Sequence, residues 1–130
     1  MTELAIGQVT ERTGLSVHAL RFYEKEGLLA APVKRDANGR RVYTEHDVDW
    51  LLNCTKFRAS GMPLAVIREF AELVRQGPGN EEKRLELLRE HQNTVRDRIA
   101  ELADCLDLIS RKVEVYEEHV ARGTANELWR

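Results

Sequence analysis

The chain has 130 residues, of which 42% are apolar and 32% are charged, and its formal net charge is −2. This length fits one domain, or one small domain with an appendage, and the composition excludes a fibrous or fully disordered chain. No run of about 18 apolar residues is present, and acidic residues interrupt the N-terminal segment. We therefore expect neither a transmembrane helix nor a signal peptide. Two cysteines are too few for a disulfide framework or a zinc site, which favours a reduced, cytoplasmic setting without a metal or cofactor.

The charge is unevenly distributed along the chain. Residues 1–75 contain 11 Lys/Arg and 10 Asp/Glu, whereas residues 76–130 contain 9 and 12. The strongest helix-breaking run, Gly77-Pro78-Gly79-Asn80, lies at the boundary between these halves. We predict a first domain over residues 1–76, a linker over 77–80, a long helix over 81–122 and a C-terminal tail over 123–130.

Two short segments with helical spacing flank a turn at residues 13–16. The first carries Val9 and ends at Gly14, and Ser16 is suited to cap a second helix that Gly27 ends. Two short helices around such a turn predict a helix-turn-helix.

A basic hairpin is expected next in the chain. Asn38-Gly39 predicts a type I′ turn, in which both central residues need a positive φ. We predict a two-stranded wing that Tyr43 closes, with four cations on its arms: Lys34, Arg35, Arg40 and Arg41.

Two further helices complete the predicted first domain. Thr44 and Asp47 form a capping box that opens a third helix, which Gly61 ends. Pro63 is expected at the first position of a fourth helix, where its missing N–H is tolerated.

Beyond Asn80, one seam of residues repeats in steps of three and four. It comprises Leu85, Leu88, Gln92, Val95, Ile99, Leu102, Leu106, Ile109, Val113, Tyr116 and Val120. A narrow seam over this many turns is typical of a coiled coil, and the polar Gln92 could fix its register. The helix would be roughly 60 Å long, too long for the first domain to cover, so we expect a homodimer. The alternative is that the helix packs against the first half of the same chain. The seam does not distinguish parallel from antiparallel pairing.

A helix-turn-helix with a basic wing predicts two contacts with duplex DNA. The second helix would place Val17, His18 and Arg21 near base edges, and the wing would lie on phosphates or in the minor groove. Alternatives remain for single residues: Arg21 could pair with Glu24 or Glu26, His18 could be a surface histidine, and Tyr23 could belong to the core.

Three runs of the sequence carry a resemblance to a known family: IGQVTERTGLSVHALRFYEKEGLL, NGRRVYTEHDV and FRASGMPLAVIREF. They resemble the DNA-binding domain of the MerR family of transcriptional regulators, and the resemblance extends over nearly the whole chain. It implies an all-α fold with a small β wing, in which a winged helix-turn-helix precedes a long antiparallel dimerisation helix.

The resemblance also implies a mechanism and a set of contacts. The homodimer would bind promoter DNA in an overlong spacer and distort it so that RNA polymerase engages both promoter elements. The contacts carried over by position are Ser16, Val17, His18, Arg21, Tyr23, Lys34, Arg41 and Tyr43. Many members have arginine at the position of His18, which puts the base preference there in doubt.

The number and positions of the cysteines limit the classes of signal that such a regulator could sense. The family's metal and iron–sulfur sensors carry cysteines that are absent here, and the chain resembles the short subgroup associated with aldehyde or thiol stress. Cys54 is a candidate sensor, or a small buried hydrophobe beside Trp50 and Phe57. Cys105 is expected to pack inertly beside the seam.

Two other classes of function were weighed against a DNA-binding regulator. An enzyme is disfavoured because no nucleophile–base spacing, phosphate loop or catalytic carboxylate pair is present. A coiled-coil adaptor or anti-regulator that binds a protein through the winged domain remains the alternative.

Overall fold

The structure is a computed structural model that describes residues 3–124, 126 and 128, so the predicted tail lies partly outside the described residues. The chain forms two compact units, one up to Arg89 and one from Glu90, and the division falls within the last helix. The elements in chain order are β1 (Leu4–Ala5), α1 (Ile6–Thr13), α2 (Val17–Lys25), β2 (Lys34–Arg35), β3 (Arg41–Tyr43), α3 (Glu45–Ala59), α4 (Leu64–Arg75) and α5 (Glu81–Arg122). Within the described part, no helix is long and apolar enough to span a bilayer.

The turn between α1 and α2 confirms the predicted helix-turn-helix. Gly14 ends α1 with a φ of 75°, a left-handed conformation that glycine adopts without steric strain. The Ser16 hydroxyl accepts a hydrogen bond from the Ala19 N–H at 3.0 Å and so caps α2.

The wing belongs to a sheet of three strands in the order β1-β3-β2. All neighbours are antiparallel, with Leu4 opposite Tyr43 and Lys34 opposite Val42. The prediction of two strands was incomplete, because β1 has only two residues and cannot show the alternation that marks a strand.

The turn of the wing differs from the predicted type I′ geometry. Only glycines have a positive φ among the described residues, so Gly39 adopts the left-handed conformation but Asn38 does not. The Gly39 N–H donates to the Asp36 carbonyl at 3.0 Å, and the Asp36 N–H donates to the Arg40 carbonyl at 2.9 Å. This pattern is a type I turn followed by a left-handed glycine, and the Asp36 carboxylate supports it by accepting from the N–H groups of Asn38 and Arg40.

The start of α3 follows the predicted capping box, whereas α4 begins one residue later than predicted. The Thr44 hydroxyl accepts from the Asp47 N–H at 3.2 Å, and the Asp47 carboxylate accepts from the Thr44 N–H at 2.9 Å. Pro63 has an extended ψ of 146°, so it precedes the first helical residue, Leu64.

One hydrophobic core is formed by the four helices α1, α2, α3 and α4 together with the sheet. Its fully buried side chains are Val9, Leu20, Tyr23, Leu28, Tyr43, Val48, Leu51, Cys54 and Ile67. The core therefore fixes α2 and β3, the elements beside the predicted DNA contacts.

The predicted linker is a hydrogen-bonded turn. The Asn80 amide donates to the Leu73 carbonyl at 2.9 Å, and Arg84 donates to the Gly77 carbonyl at 2.7 Å and to the Asn80 side chain at 2.7 Å. The first turns of α5 are thus fastened to the end of α4. The domain boundaries proposed from the sequence remain a prediction.

Candidate nucleic-acid interface

The N-terminal half of α2 presents the predicted side chains to solvent. Leu20 and Tyr23 are buried on one face of this helix, so Val17, His18 and Arg21 fall on the other face and are exposed. Ser16 is also exposed and caps the helix. The burial of one face of α2 therefore brings together the residues predicted to reach base edges.

Arg21 does not have the acidic partners that the sequence offered as an alternative. The Glu24 carboxylate pairs with Arg41, and the Glu26 carboxylate pairs with Arg68 at 3.4 Å. Arg21 is exposed on the solvent-facing side of α2, and its contact with DNA stays a prediction.

Three of the four wing cations are exposed: Lys34, Arg35 and Arg40. Arg35 also donates to the Gly39 carbonyl at 2.8 Å, so its guanidinium supports the turn. The tip of the wing therefore carries positive charge next to a turn that is held by its own hydrogen bonds.

Arg41 lies in a different environment from its neighbours. Its Nε donates to both Glu24 carboxylate oxygens, at 2.9 and 3.1 Å. The side chains of Arg41 and Glu24 are only 25% and 28% exposed, and the hydrogen bond to Glu24 raises the pKa of Arg41. This ion pair joins β3 to α2, and we assign Arg41 to that connection.

Tyr23 and Tyr43 were both predicted to contact DNA, and the structure places both in the core. Their side chains are 1% and 2% exposed. Neither ring is available to DNA in this conformation, because each occupies the tightly packed interior behind the interface. Burial raises the pKa of Tyr43, and its hydroxyl has no hydrogen-bond partner among the described residues.

The two cysteines differ in accessibility. Cys54 is 1% exposed in the core, and burial raises the pKa of its thiol to about 12. Cys105 is exposed on α5. A buried thiol that stays protonated is a poor nucleophile, so the structure favours the buried-hydrophobe interpretation of Cys54.

Sequence reasoning missed three side chains that bind the backbone behind the interface. Trp50, Arg68 and Arg75 donate to carbonyls of residues 26–29, at the end of α2. Trp50 is recognisable from the sequence only as an apolar neighbour of Cys54, because no local pattern indicates where its indole N–H points. In the described residues, no group of His, Cys, Asp and Glu side chains has the arrangement of a metal site.

Comparison with known proteins gives two matching family models. The model described as MerR HTH family regulatory protein matches residues 4–73. The model described as MerR, DNA binding matches residues 50–111.

Individual relatives agree with these models. An uncharacterized HTH-type transcriptional regulator of Haemophilus influenzae is 38% identical over 117 residues, covering 90% of this chain and 86% of the relative. The HTH-type transcriptional regulator YfmP of Bacillus subtilis is 33% identical, covering 94% and 89%. The crystal structure of HiNmlR, a MerR family regulator lacking the sensor domain, bound to promoter DNA, has 35% identity and a TM-score of 0.84, covering 98% of this chain and 100% of that one. The chain belongs to the MerR family of helix-turn-helix transcriptional regulators.

Proposed function

We propose that the protein is a homodimeric regulator that binds promoter DNA through α2 and the wing and changes the shape of the bound duplex. The observation that carries this proposal is the exposed set formed by Val17, His18 and Arg21 on α2 and Lys34 and Arg40 in the wing. The ion pair between Glu24 and Arg41 keeps these two elements adjacent. The similarity to HiNmlR, which was solved on promoter DNA, supports the same use of this surface.

The exposed seam of α5 supports pairing of two chains. Ile99, Leu102 and Leu106 are 61%, 68% and 61% exposed, although they occupy the positions that a coiled coil would bury. A second copy of α5 would remove this apolar surface from water. Pairing would also present two winged units to two half-sites of one operator, since operator symmetry mirrors the protein's two-fold axis.

The two parts of the interface are expected to do different work. Lys34 and Arg40 would contact phosphates, which position the protein without reading the sequence. His18 and Arg21 lie at the start of the recognition helix, where side chains reach base edges. Distortion of the promoter between the half-sites would then let RNA polymerase engage both promoter elements, as in the mechanism implied by the family resemblance.

Selection of duplexes from a randomised pool by the purified protein tests this proposal. We expect a two-fold-symmetric consensus, since the proposed dimer would bind two half-sites. Lys34→Ala should lower the magnitude of the salt slope of binding by about two per dimer, because each of the two wings loses one proposed phosphate contact, and it should affect all sequences similarly. His18→Ala should instead change the selected bases. Failure to retain any duplex at low salt would contradict the proposal and favour the adaptor alternative.

A further inference from the structure

The backbone between α2 and the wing is held by side chains from α3 and α4. Four consecutive carbonyl oxygens of this segment, residues 26–29, accept hydrogen bonds. The donors are Arg68 Nε to the Glu26 carbonyl at 2.7 Å, Arg75 to the Gly27 carbonyl at 3.0 Å and to the Leu29 carbonyl, and Trp50 Nε1 to the Leu28 carbonyl at 2.8 Å.

The path of this segment explains why it needs such partners. Gly27 takes a φ of 70°, and the Leu28 N–H donates back to the Tyr23 carbonyl at 2.9 Å, so the chain turns sharply after α2. Leu28 and Leu29 are then buried, outside any helix or strand. The carbonyls of this segment have no secondary-structure partners, and the bonds to three of them are partly buried, so they need side-chain donors, which the two arginines and the tryptophan supply.

This segment connects α2 to the wing along the chain. The ion pair between Glu24 on α2 and Arg41 on β3 also joins them. Arg68 and Arg75 are seven residues apart on α4, so they lie on one side of that helix. The position of α4 therefore bears on the geometry of both proposed DNA-binding elements.

We propose that Arg68 and Arg75 are positioning residues that set the wing relative to α2 for DNA binding. The inference rests on the proposed function, because it assigns these residues a part in the same interface. The first turns of α5 would then be connected to that interface through α4. The turn at residues 77–80 is bonded to both helices, through Asn80 to Leu73 and through Arg84 to Gly77.

Arg75→Gln tests the role of the guanidinium. The probe is a duplex of about two helical turns that the unaltered protein has selected. We expect the affinity of the variant for this duplex to fall about tenfold, because the charged donor to two carbonyls is lost. The salt slope of binding should stay unchanged, because no phosphate contact is removed. Arg75→Lys should restore part of the affinity, since the ammonium can still donate to a carbonyl. Arg58→Gln is the matched control: Arg58 is exposed at the end of α3, and its substitution should leave affinity unchanged.

A double-mutant cycle separates positioning from loss of stability. In the Lys34→Ala background, where the wing has lost a proposed phosphate contact, Arg75→Gln should weaken binding by a clearly smaller factor than in the unaltered protein. Equal factors in both backgrounds, or a smaller salt slope for Arg75→Gln alone, would overturn the inference. If Arg75→Gln fails to fold, the same cycle with Arg68→Gln decides the question. Absence of DNA binding by the unaltered protein would instead reject the proposed function itself.

Discussion

Two adjacent arginines of the wing have different surroundings, although they were predicted to act alike. Arg40 is exposed at the turn, whereas Arg41 is half-buried and donates to Glu24. Arg40 lies in the turn and faces solvent, whereas Arg41 is the first residue of β3 and faces Glu24 on α2. The place of each cation in the hairpin therefore determines whether its side chain is open to solvent.

Cys54 permits a direct test at the scale of one residue. We expect iodoacetamide to modify it at least about a hundredfold more slowly than an unhindered thiol near neutral pH, because the reactive form is the thiolate and burial raises the pKa of this thiol. Cys105 is exposed in the single chain and serves as the comparison within the same molecule, and the unfolded protein gives the unhindered rate for both thiols. Mass spectrometry of peptides from a time course measures both rates.

The outcomes distinguish the two interpretations of Cys54. Rapid modification of Cys105 with protection of Cys54 supports the buried hydrophobe, and protection should disappear in denaturant. Modification of Cys54 in the folded protein at the rate of Cys105 would contradict the inert interpretation and support a sensor.

At the scale of elements, helix starts were predictable because their determinants are local. Ser16 and Thr44 cap helices through hydrogen bonds to residues three positions away, and Gly14 ends α1 through its own φ. The wing turn was harder, because Asn-Gly is compatible with more than one hairpin geometry. Here the Asp36 carboxylate binds two N–H groups of the loop, and this contact accompanies the type I turn.

Asn38 and Gly39 differ in backbone conformation within the wing turn, so their substitution should affect stability differently. Gly39→Ala should lower the free energy of unfolding by about 1 kcal/mol, because alanine is strained at the observed φ of 76°. Asn38→Ala should have a clearly smaller effect, because Asn38 does not have a positive φ. Urea unfolding of both variants measures the difference. Equal losses would indicate the type I′ turn instead.

The contacts behind the interface could not be predicted, because they join distant parts of the sequence. Arg75 and the carbonyl of Gly27 are 48 residues apart, and Trp50 and Leu28 are 22 residues apart. On α3, the apolar Leu52 is 40% exposed, whereas Cys54, predicted either as a sensor or as a small buried hydrophobe, is 1% exposed. Periodicity identifies the helix, whereas tertiary packing determines which side of the helix is buried.

At the scale of the whole molecule, the seam of α5 is an apolar surface that the single chain leaves exposed. No residue of this helix is buried in the single chain. The seam residues were predicted from spacing alone, and their apolar members lie on a continuous helix over Glu81–Arg122. Spacing does not encode the direction of the partner helix, so antiparallel pairing stays a prediction drawn from the family resemblance.

Leu102→Asp should separate the proposed dimer. Its side chain is 68% exposed in the single chain, so the charge is harmless there but would be buried against a second copy. The dissociation constant should rise at least about a hundredfold, because a symmetric dimer carries the change twice. Sedimentation equilibrium of the unaltered chain and the variant measures this constant.

The control for this experiment lies on the same helix outside the seam. Glu101→Ala removes a charge next to Leu102 in the sequence but not in the heptad row, and its association should match that of the unaltered chain. An unaltered chain that sediments at 15.0 kDa at micromolar concentration would contradict pairing altogether.

If the exposed seam pairs two chains, the activity of the proposed regulator depends on how much of the chain the cell makes. While most chains are single, the concentration of a homodimer rises with the square of the chain concentration, so doubling synthesis gives about four times as many dimers. Operator occupancy would then change more steeply than protein production. A given change in operator occupancy would therefore need only about the square root of the change in chain synthesis that a monomeric regulator would need.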